Sequence, residues 1–280
     1  MDSIRLSNDV SMPMLGFGTF MIKQGCEQHV SDALKLGYRL IDTASAYFNE
    51  AAVGRAIRSS GIPREELFIT SKVWVQDVGY DNTHRAFERS LRALGVEYLD
   101  LYLIHQPFGD YYGSWRAMEK LMADGCIKAI GVSNFSPERV VDLALNSDTP
   151  PMVDQIELHP FLPQTDAVAE IRKYGCVPQA WEPFCEGQRD IFNNPTLTEI
   201  ATAHGKTAAQ VALKWNLQRG VAVIPRSTDH EHRAENLDLD FTLTDEEMQR
   251  ITSLDIGHSE IIDHRCAHTA RQLINLKIHG

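Results

Sequence analysis

Three ionisable residues of different types end three consecutive apolar segments of this 280-residue chain. Asp42 follows Tyr-Arg-Leu-Ile, Lys72 follows Leu-Phe-Ile-Thr-Ser, and His105 follows Leu-Asp-Leu-Tyr-Leu-Ile. The intervals from Asp42 to Lys72, His105 and then Asn134 are 30, 33 and 29 residues, which is about the length of one strand–helix unit. Because burying such groups is costly unless they pair, we expect Asp42 and Lys72 to contact each other directly.

Tyr47 lies five residues beyond Asp42, within reach of the same strand ends. An ammonium group at Lys72 would favour the phenolate and lower the pKa of Tyr47 from its ordinary value near 10. Tyr47 could then act as a general acid, with Asp42 holding the lysine and His105 donating a hydrogen bond to a carbonyl oxygen. This set suits hydride addition to a carbonyl group, for which a cofactor must supply the hydride.

The apolar segments themselves are short and continuous, which is typical of strands buried on both faces. Seven of them are found at 38–42, 67–70, 99–104, 127–132, 153–156, 177–181 and 221–224, and a weaker, glycine-containing one at 15–19. Helix signals lie between most of them: an amphipathic stretch at 81–94 ended by Gly95, a Ser136-Pro137-Glu138 start, and capping boxes at Thr207/Gln210 and Thr244/Glu247.

This alternation predicts an α/β fold with a parallel sheet, and eight strands in one domain spanning 1–280 indicate a (β/α)₈ TIM barrel. A doubly wound sheet is the rival, but it would normally carry a GxGxxG loop, and Gly16-Phe17-Gly18 lacks the third glycine. The segment 4–14, with Asn8-Asp9 at a turn, is predicted to form a hairpin before the barrel.

Composition and charge exclude several classes of protein. The chain carries 27 Lys and Arg against 38 Asp and Glu, a net charge of −11, which argues against general nucleic-acid binding. It lacks an 18-residue uncharged stretch, so no membrane span is expected, and its first residues do not resemble a secretory signal. Five widely spaced cysteines indicate reduced thiols, no metal site and a cytoplasmic location.

Seven blocks of the sequence, in order, resemble the aldo-keto reductase family over nearly the whole chain. The blocks are Leu-Gly-Phe-Gly-Thr (15–19), Ile-Asp-Thr-Ala-x-x-Tyr-x-Asn-Glu (41–50), Ser-Lys-Val-Trp (71–74), Asp-Leu-Tyr-Leu-Ile-His (100–105), Ile-Gly-Val-Ser-Asn-Phe (130–135), Gln-Ile-Glu-Leu-His-Pro (155–160) and Val-Ile-Pro-Arg-Ser (223–227). In detail the chain is similar to the microbial branch that includes 2,5-diketo-D-gluconate reductases and protozoal prostaglandin F synthase.

The resemblance implies NADPH-dependent reduction of aldehydes or ketones at a catalytic tetrad of Asp42, Tyr47, Lys72 and His105, with Tyr47 as the proton donor. It implies cofactor contacts at Gly18, Thr19, Asp42, Ser133, Asn134, Gln155, Trp181, Arg226, Ser227, His232 and Asn236. It also implies a substrate pocket lined by Phe20, Phe48, Trp74, His105 and Phe108.

Two positions depart from the family pattern. The site for the adenosine 2′-phosphate usually has Arg where this chain has His232, and a histidine is mostly neutral at pH 7. Arg226 provides a cation at this site, and its guanidinium can donate two hydrogen bonds to a phosphate. Arg233 is next to His232 in the sequence but need not point the same way. We therefore expect a relaxed NADPH preference with measurable NADH use, especially above pH 7. Glu182 stands beside the pyrophosphate position and either turns outward or contacts ribose hydroxyls.

Two other functions compete with a carbonyl reductase that acts as a monomer on a small-molecule substrate. One is a cofactor-binding regulatory subunit with the same barrel fold, like the β subunits of potassium channels. The short tail and the lack of an extra N-terminal segment argue against this alternative. The other is a barrel hydrolase, but paired carboxylates and HxH metal ligands are missing at the strand ends. In the tail, His264, Arg265 and His268 could face either an anionic substrate or solvent, and we favour solvent.

Overall fold

The computed structural model describes residues 2–280, in which a small hairpin precedes eight parallel strands that alternate with helices. The strands are β1 (Ser3–Arg5), β2 (Ser11–Pro13), β3 (Gly16–Gly18), β4 (Leu40–Asp42), β5 (Phe68–Val73), β6 (Leu99–Ile104), β7 (Ile127–Ser133), β8 (Val153–Glu157), β9 (Val177–Trp181) and β10 (Ala222–Val223). Strands β3 to β10 correspond to the eight predicted segments, so the predicted (β/α)₈ barrel with an N-terminal hairpin is confirmed.

Helices lie in the connections between the barrel strands, and three more follow β10. They are α1 (Cys26–Leu36), α2 (Glu50–Ser59), α3 (Tyr80–Leu94), α4 (Tyr111–Ala123), α5 (Pro137–Leu145), α6 (Thr165–Arg172), α7 (Pro195–His204), α8 (Ala208–Gln218), α9 (His230–Glu235), α10 (Asp245–Thr252) and α11 (Ala267–Asn275). Short 3₁₀ segments lie at Ser45–Tyr47, Arg64–Glu66, Val75–Asp77 and Cys185–Asn193. Within residues 2–280, no helix is both long and apolar enough to cross a membrane.

The capping signals read from the sequence are found where they were expected. Thr207 accepts the backbone N–H of Gln210 while its own backbone N–H donates to the Gln210 side chain. Thr244 and Glu247 form the same reciprocal pair at the start of α10. Gly95 ends α3 with φ 65°, a left-handed conformation that glycine adopts without steric cost.

The sheet closes on itself between its first and last strands. Leu15 forms a parallel bridge with Val223, whose N–H donates to the carbonyl of Met14 at 2.8 Å. Further along this seam the Gly18 N–H donates to the Pro225 carbonyl at 3.1 Å. A Cβ at Gly18 would lie 2.7 Å from the Ile224 carbonyl oxygen, so only glycine permits this closure without a shift of backbone.

Alternate residues of each strand face the two sides of the barrel wall. Leu40 packs inside with Phe68 and Leu101, whereas Ile41 belongs to the larger cluster between the strands and the surrounding helices. The hairpin joins the inner cluster through Leu6 and Met12, and therefore covers one end of the barrel. The opposite end, where the strands finish, is left for the side chains of Asp42, Lys72 and His105.

The C-terminal segment returns across that open end. The indole N–H of Trp74 donates to the carbonyl of Leu276 at 2.9 Å, and the backbone N–H of Ile278 donates to the side chain of Gln76 at 2.8 Å. The ring of His279 lies 2.9 Å from the carboxylate of Asp77. Helix α11 and the residues after it therefore roof part of the barrel mouth.

Candidate active site

A cavity of about 400 Å³ lies at the carboxyl ends of the strands, under the C-terminal segment. Eleven residues predicted to form the site line it: Gly18, Phe20, Asp42, Tyr47, Trp74, His105, Ser133, Asn134, Gln155, Trp181 and Arg226. They come from all eight barrel strands or the loops that follow them, as expected for a barrel whose strand ends converge on one mouth.

Lys72 is the centre of the polar cluster at the cavity floor. Its side chain is fully buried, and its ammonium group donates to the Asp42 carboxylate at 2.5 Å and to the Thr43 carbonyl at 3.0 Å. The predicted contact between Asp42 and Lys72 is thus confirmed. The same ammonium group donates to the hydroxyl oxygen of Tyr47 at 3.3 Å. Since an ammonium group can only donate, the phenolic hydrogen of Tyr47 is free to point into the cavity.

The expected direction of the Tyr47 pKa shift is wrong. Burial raises the pKa of Tyr47 well above its ordinary value of 10, and the carboxylates of Asp42 and Glu182 raise it further. The main physical reason is burial, which penalises the charged phenolate, and the carboxylate of Asp42, which lies against Lys72, adds to the same effect. Tyr47 is consequently held in its protonated form, the form that a proton donor needs.

His105 is uncharged in the cavity wall. Burial lowers the pKa of His105 well below its ordinary value of 6.5, and the charge of Lys72 lowers it further. The ring packs edge-on against Trp74 and Tyr47, with centroid distances of 5.1 and 5.5 Å. Its backbone is fixed by the amide of Asn134, which donates to the His105 carbonyl at 3.0 Å. A neutral ring in this position can donate one hydrogen bond to a carbonyl oxygen.

Amide and hydroxyl groups form a continuous chain beside the tetrad. The Gln155 amide donates to the Asp42 carboxylate at 2.8 Å, and the Ser133 hydroxyl donates to the Gln155 backbone carbonyl at 2.8 Å. Asn134, at φ 63°, accepts the indole N–H of Trp181 at 2.9 Å. This chain connects the tetrad to the ring of Trp181, so the orientation of each group depends on the others.

The end of the cavity that contains Arg226 has fewer cationic side chains than the sequence suggests. Arg226 lines the cavity, but the guanidinium of Arg233 is buried and donates to Asp32 and to the Ser227 carbonyl. The possibility that Arg233 points elsewhere is therefore confirmed. His232 is exposed at the start of α9. Ser227, His232 and Asn236 do not reach the cavity wall.

Glu182 faces inward, which removes the alternative of an outward-turned side chain. It lines the cavity with Glu186, and its backbone adopts φ 46° at the start of a loop rich in left-handed residues. Burial raises the pKa of Glu182, and the nearby guanidinium of Arg226 partly offsets that effect. Arg226 thus faces a carboxylate across the groove.

Three further predicted residues are not part of the cavity wall. Thr19 is fully buried, and its hydroxyl donates to the Asp42 backbone carbonyl at 2.9 Å. Phe48 follows a 3₁₀ turn with φ 58°, which directs its side chain outward, and it is 75% exposed. Phe108 packs with Trp74 and Val75 beneath the C-terminal segment.

The structure also adds residues that the sequence analysis missed. They are Ala46, Gln106, Glu186, Ile224, Ile261, Ile262, His264, Leu273 and Leu276. Ile224 directly follows β10 and Gln106 is the second residue after β6, so the strand-end rule could have found them. The expectation that His264 faces solvent is wrong, because the return of the chain across the barrel mouth places this side chain in the cavity.

The eight barrel strands lie within the part of the chain that is similar to known proteins. The model of the Aldo/keto reductase family matches residues 14–256. The glyoxal reductase of Bacillus subtilis (strain 168) is 48% identical over 257 residues, covering 90% of this chain and 92% of that protein. An aldo-keto reductase from a Medee basin deep-sea metagenome library has a TM-score of 0.90 and 41% identity, covering 93% and 100% of the two chains. An aldo-keto reductase of Bombyx mori in complex with NADP has a TM-score of 0.89 and 34% identity, covering 94% and 95%.

Proposed function

The chain belongs to the aldo/keto reductase family, and from that membership and the cavity geometry we propose that it reduces aldehydes and ketones to alcohols. In this proposal Tyr47 gives the proton, and NADPH is the preferred cofactor, with NADH also accepted. The observation that carries it is the Lys72 ammonium group, which contacts both the Asp42 carboxylate and the Tyr47 hydroxyl at the cavity floor.

The donor set of the cavity fits a nicotinamide cofactor. Hydroxyl and amide groups of Ser133, Asn134 and Gln155 lie together and complement a carboxamide, and the Trp181 ring borders the same space. Arg226 provides a cation for a phosphate group at the other end. Bound NADPH would supply the hydride.

The protein side of the reaction follows from the contacts. His105 donates a hydrogen bond to the substrate oxygen and fixes the carbonyl in the cavity. The Tyr47 hydroxyl transfers its proton to that oxygen as negative charge develops on it. Lys72, held by Asp42, stabilises the phenolate that remains. Trp74 and Phe20 contribute apolar wall to the cavity.

The proposed activity is tested with a generic aldehyde such as 4-nitrobenzaldehyde and with a panel of ketones, diketones and sugars, each assayed with both cofactors. Consumption of the reduced cofactor with formation of the alcohol supports the proposal. A protein that binds NADPH tightly but turns over none of these compounds would instead be a regulatory subunit.

The first prediction concerns the choice between the two cofactors. We expect kcat/KM with NADPH to exceed that with NADH by less than about 1000-fold, roughly 4 kcal/mol, because Arg233 is committed to Asp32. His232→Arg should raise this preference by about 10- to 100-fold through one charge-assisted hydrogen bond. His268→Arg, at an exposed tail position, is the matched control. A preference that is already larger in the unaltered protein, or that His232→Arg leaves unchanged, contradicts the prediction.

The second prediction concerns pH. Tyr47 donates only while protonated, and the pKa of Tyr47 is raised whereas that of His105 is lowered. Aldehyde reduction should therefore have a flat kcat between about pH 6 and pH 9, and should fall only on the alkaline side. Glu182→Gln removes one carboxylate that raises the Tyr47 pKa and should move the alkaline fall to lower pH.

Glu186→Gln is the control for this profile, because Glu186 lines the cavity but is not among the groups that shift the Tyr47 pKa. The measurement is kcat at saturating substrate across the pH range for the three proteins. A fall of kcat near pH 6.5, or an identical alkaline limb in Glu182→Gln, would contradict the assignment.

A further inference from the structure

A buried carboxyl group lies behind the barrel wall, on the side that faces the helices. Glu50, the first residue of α2, is only 9% exposed and accepts the hydroxyl of Ser71 at 2.6 Å. Ser71 directly precedes Lys72 in β5, and consecutive residues of a strand face opposite sides of the sheet. Lys72 therefore meets Asp42 inside the barrel, while Glu50 lies on the other side of the same strand. Neither Glu50 nor Ser71 lines the cavity, so they can act on the reaction only through other residues.

The turn that carries Tyr47 is fastened to β5 at three points. The carbonyl of Thr43 accepts the ammonium group of Lys72 at 3.0 Å, and the hydroxyl of Ser45 donates to the Lys72 carbonyl at 3.0 Å. The third point is the contact that Glu50 makes at the end of this turn. Of the three, only the contact of Glu50 does not involve Lys72, so it can be removed without altering a residue of the tetrad.

The charges around Glu50 show which group its carboxylate influences. Burial raises the pKa of Glu50, and the hydroxyls of Ser71 and Ser90 lower it. The ammonium group of Lys72 and the guanidinium of Arg89 lower it as well. In the alkaline range, where an ammonium group loses its proton, the carboxyl of Glu50 is charged, and Lys72 is the tetrad residue that senses this charge.

The neighbouring strands supply the other titratable groups around this pair. Tyr102, on β6, faces Glu50, and burial raises the pKa of Tyr102 well above 10, so it stays neutral. Inside the barrel, Lys72 faces Asp42 and the uncharged ring of His105. Burial lowers the pKa of Lys72, whereas the charges of Asp42 and Glu50 both raise it. Without the charge of Glu50, Lys72 would therefore lose its proton at a lower pH.

We propose that Glu50 is a positioning residue of the reaction, which fixes the Tyr47 turn against β5 and, through its charge, keeps Lys72 protonated during proton transfer. The proposal rests on the carbonyl reduction proposed above, in which Lys72 stabilises the phenolate of Tyr47. It assigns to Glu50 an effect on kcat and on its pH dependence. Binding of the cofactor does not depend on Glu50.

The effect of the charge is tested with Glu50→Gln, whose amide oxygen can still accept the hydroxyl of Ser71. The alkaline fall of kcat should move to lower pH by about 0.5–1 unit, while kcat at pH 7 changes by less than about threefold. Glu119→Gln is the matched control. Glu119, on α4, is a partly buried carboxyl outside the cavity that accepts the backbone N–H of Thr149 at 2.7 Å. Its pH profile should coincide with that of the unaltered protein.

The effect of the contact is tested with Ser71→Ala and Glu50→Asp, which keep the charge. The shorter side chain of aspartate withdraws from Ser71, so both variants lose the same hydrogen bond. Both should lower kcat at every pH by about 3- to 10-fold, as expected for one lost hydrogen bond that positions a reacting group. The alkaline fall should stay where it is. Ser147→Ala is the control, because the Ser147 hydroxyl donates to the Leu143 carbonyl at 2.6 Å outside the cavity.

The Kd of NADPH, followed by quenching of tryptophan fluorescence, reports correct folding and should stay within about threefold in every variant. If the unaltered protein reduces no aldehyde, the proposed function fails and the role of Glu50 fails with it. If the protein is active but Glu50→Gln and Glu119→Gln show the same alkaline fall, only the role of Glu50 is overturned. The same holds if Ser71→Ala loses no more kcat than Ser147→Ala.

Discussion

Replacing Tyr47 with phenylalanine is expected to lower kcat for aldehyde reduction by at least about 1000-fold. The hydroxyl of Tyr47 contacts the Lys72 ammonium group at 3.3 Å and is the proposed proton donor. The ring should keep its place, because it packs against Phe20 and His105 at centroid distances of 5.0 and 5.5 Å and these contacts do not need the hydroxyl. The variant therefore separates proton donation from the shape of the cavity.

Cofactor affinity is the second measurement in this experiment. We expect the Kd of NADPH, followed by quenching of tryptophan fluorescence, to change by less than about threefold, since Trp181 and Arg226 are untouched. Tyr111→Phe, at a position outside the cavity, is the control. A Tyr47→Phe protein that retains a tenth or more of the activity would mean that another group donates the proton.

The second large effect is on stability. Lys72→Met should lower the free energy of unfolding by about 3–5 kcal/mol, because it leaves the buried Asp42 carboxylate without its cation. Gln155 then remains as the side-chain hydrogen-bond donor to that carboxylate, through one amide at 2.8 Å. Catalysis should be lost in the same variant, since Tyr47 loses the charge that stabilises its phenolate.

A double variant distinguishes the two roles of this ion pair. Asp42→Asn combined with Lys72→Met removes both charges and should recover most of the lost stability while activity stays absent. Unfolding in urea measures both proteins. Lys128→Met is the control: its partner Asp100 keeps Arg64 at 2.7 Å, so the expected loss is below about 1 kcal/mol. If the double variant is no more stable than Lys72→Met alone, the stability lost in Lys72→Met does not come from the unpaired carboxylate of Asp42.

The tetrad could be predicted from the sequence because parallel strands of a barrel end at one mouth. Asp42 ends β4, Lys72 is the next-to-last residue of β5 and His105 follows β6, and strand order alone brings them together. The helix caps were equally readable, since a capping box is a local pattern of four residues. These predictions needed only the periodicity of the chain and the topology that it implies.

What the sequence did not reveal depends on contacts between distant segments. The inward position of His264 follows from the anchor between Ser259 and Glu157, 102 residues apart, which no local pattern announces. The direction of the Tyr47 pKa shift depends first on how deeply the ring is buried and then on the nearby carboxylates of Asp42 and Glu182, which only the folded structure shows. The monomeric state and the cytoplasmic location stay predictions.

The seam between β3 and β10 has a consequence for how the enzyme is made. Gly18 and Arg226, which border the cavity, stand on opposite sides of this seam, so a growing polypeptide has no complete cavity until β10 has left the ribosome. Pairing of such distant strands is a slow step of folding. A nicotinamide dinucleotide that spans the seam would bind only the closed barrel and, by mass action, would act as a folding ligand for newly synthesised chains.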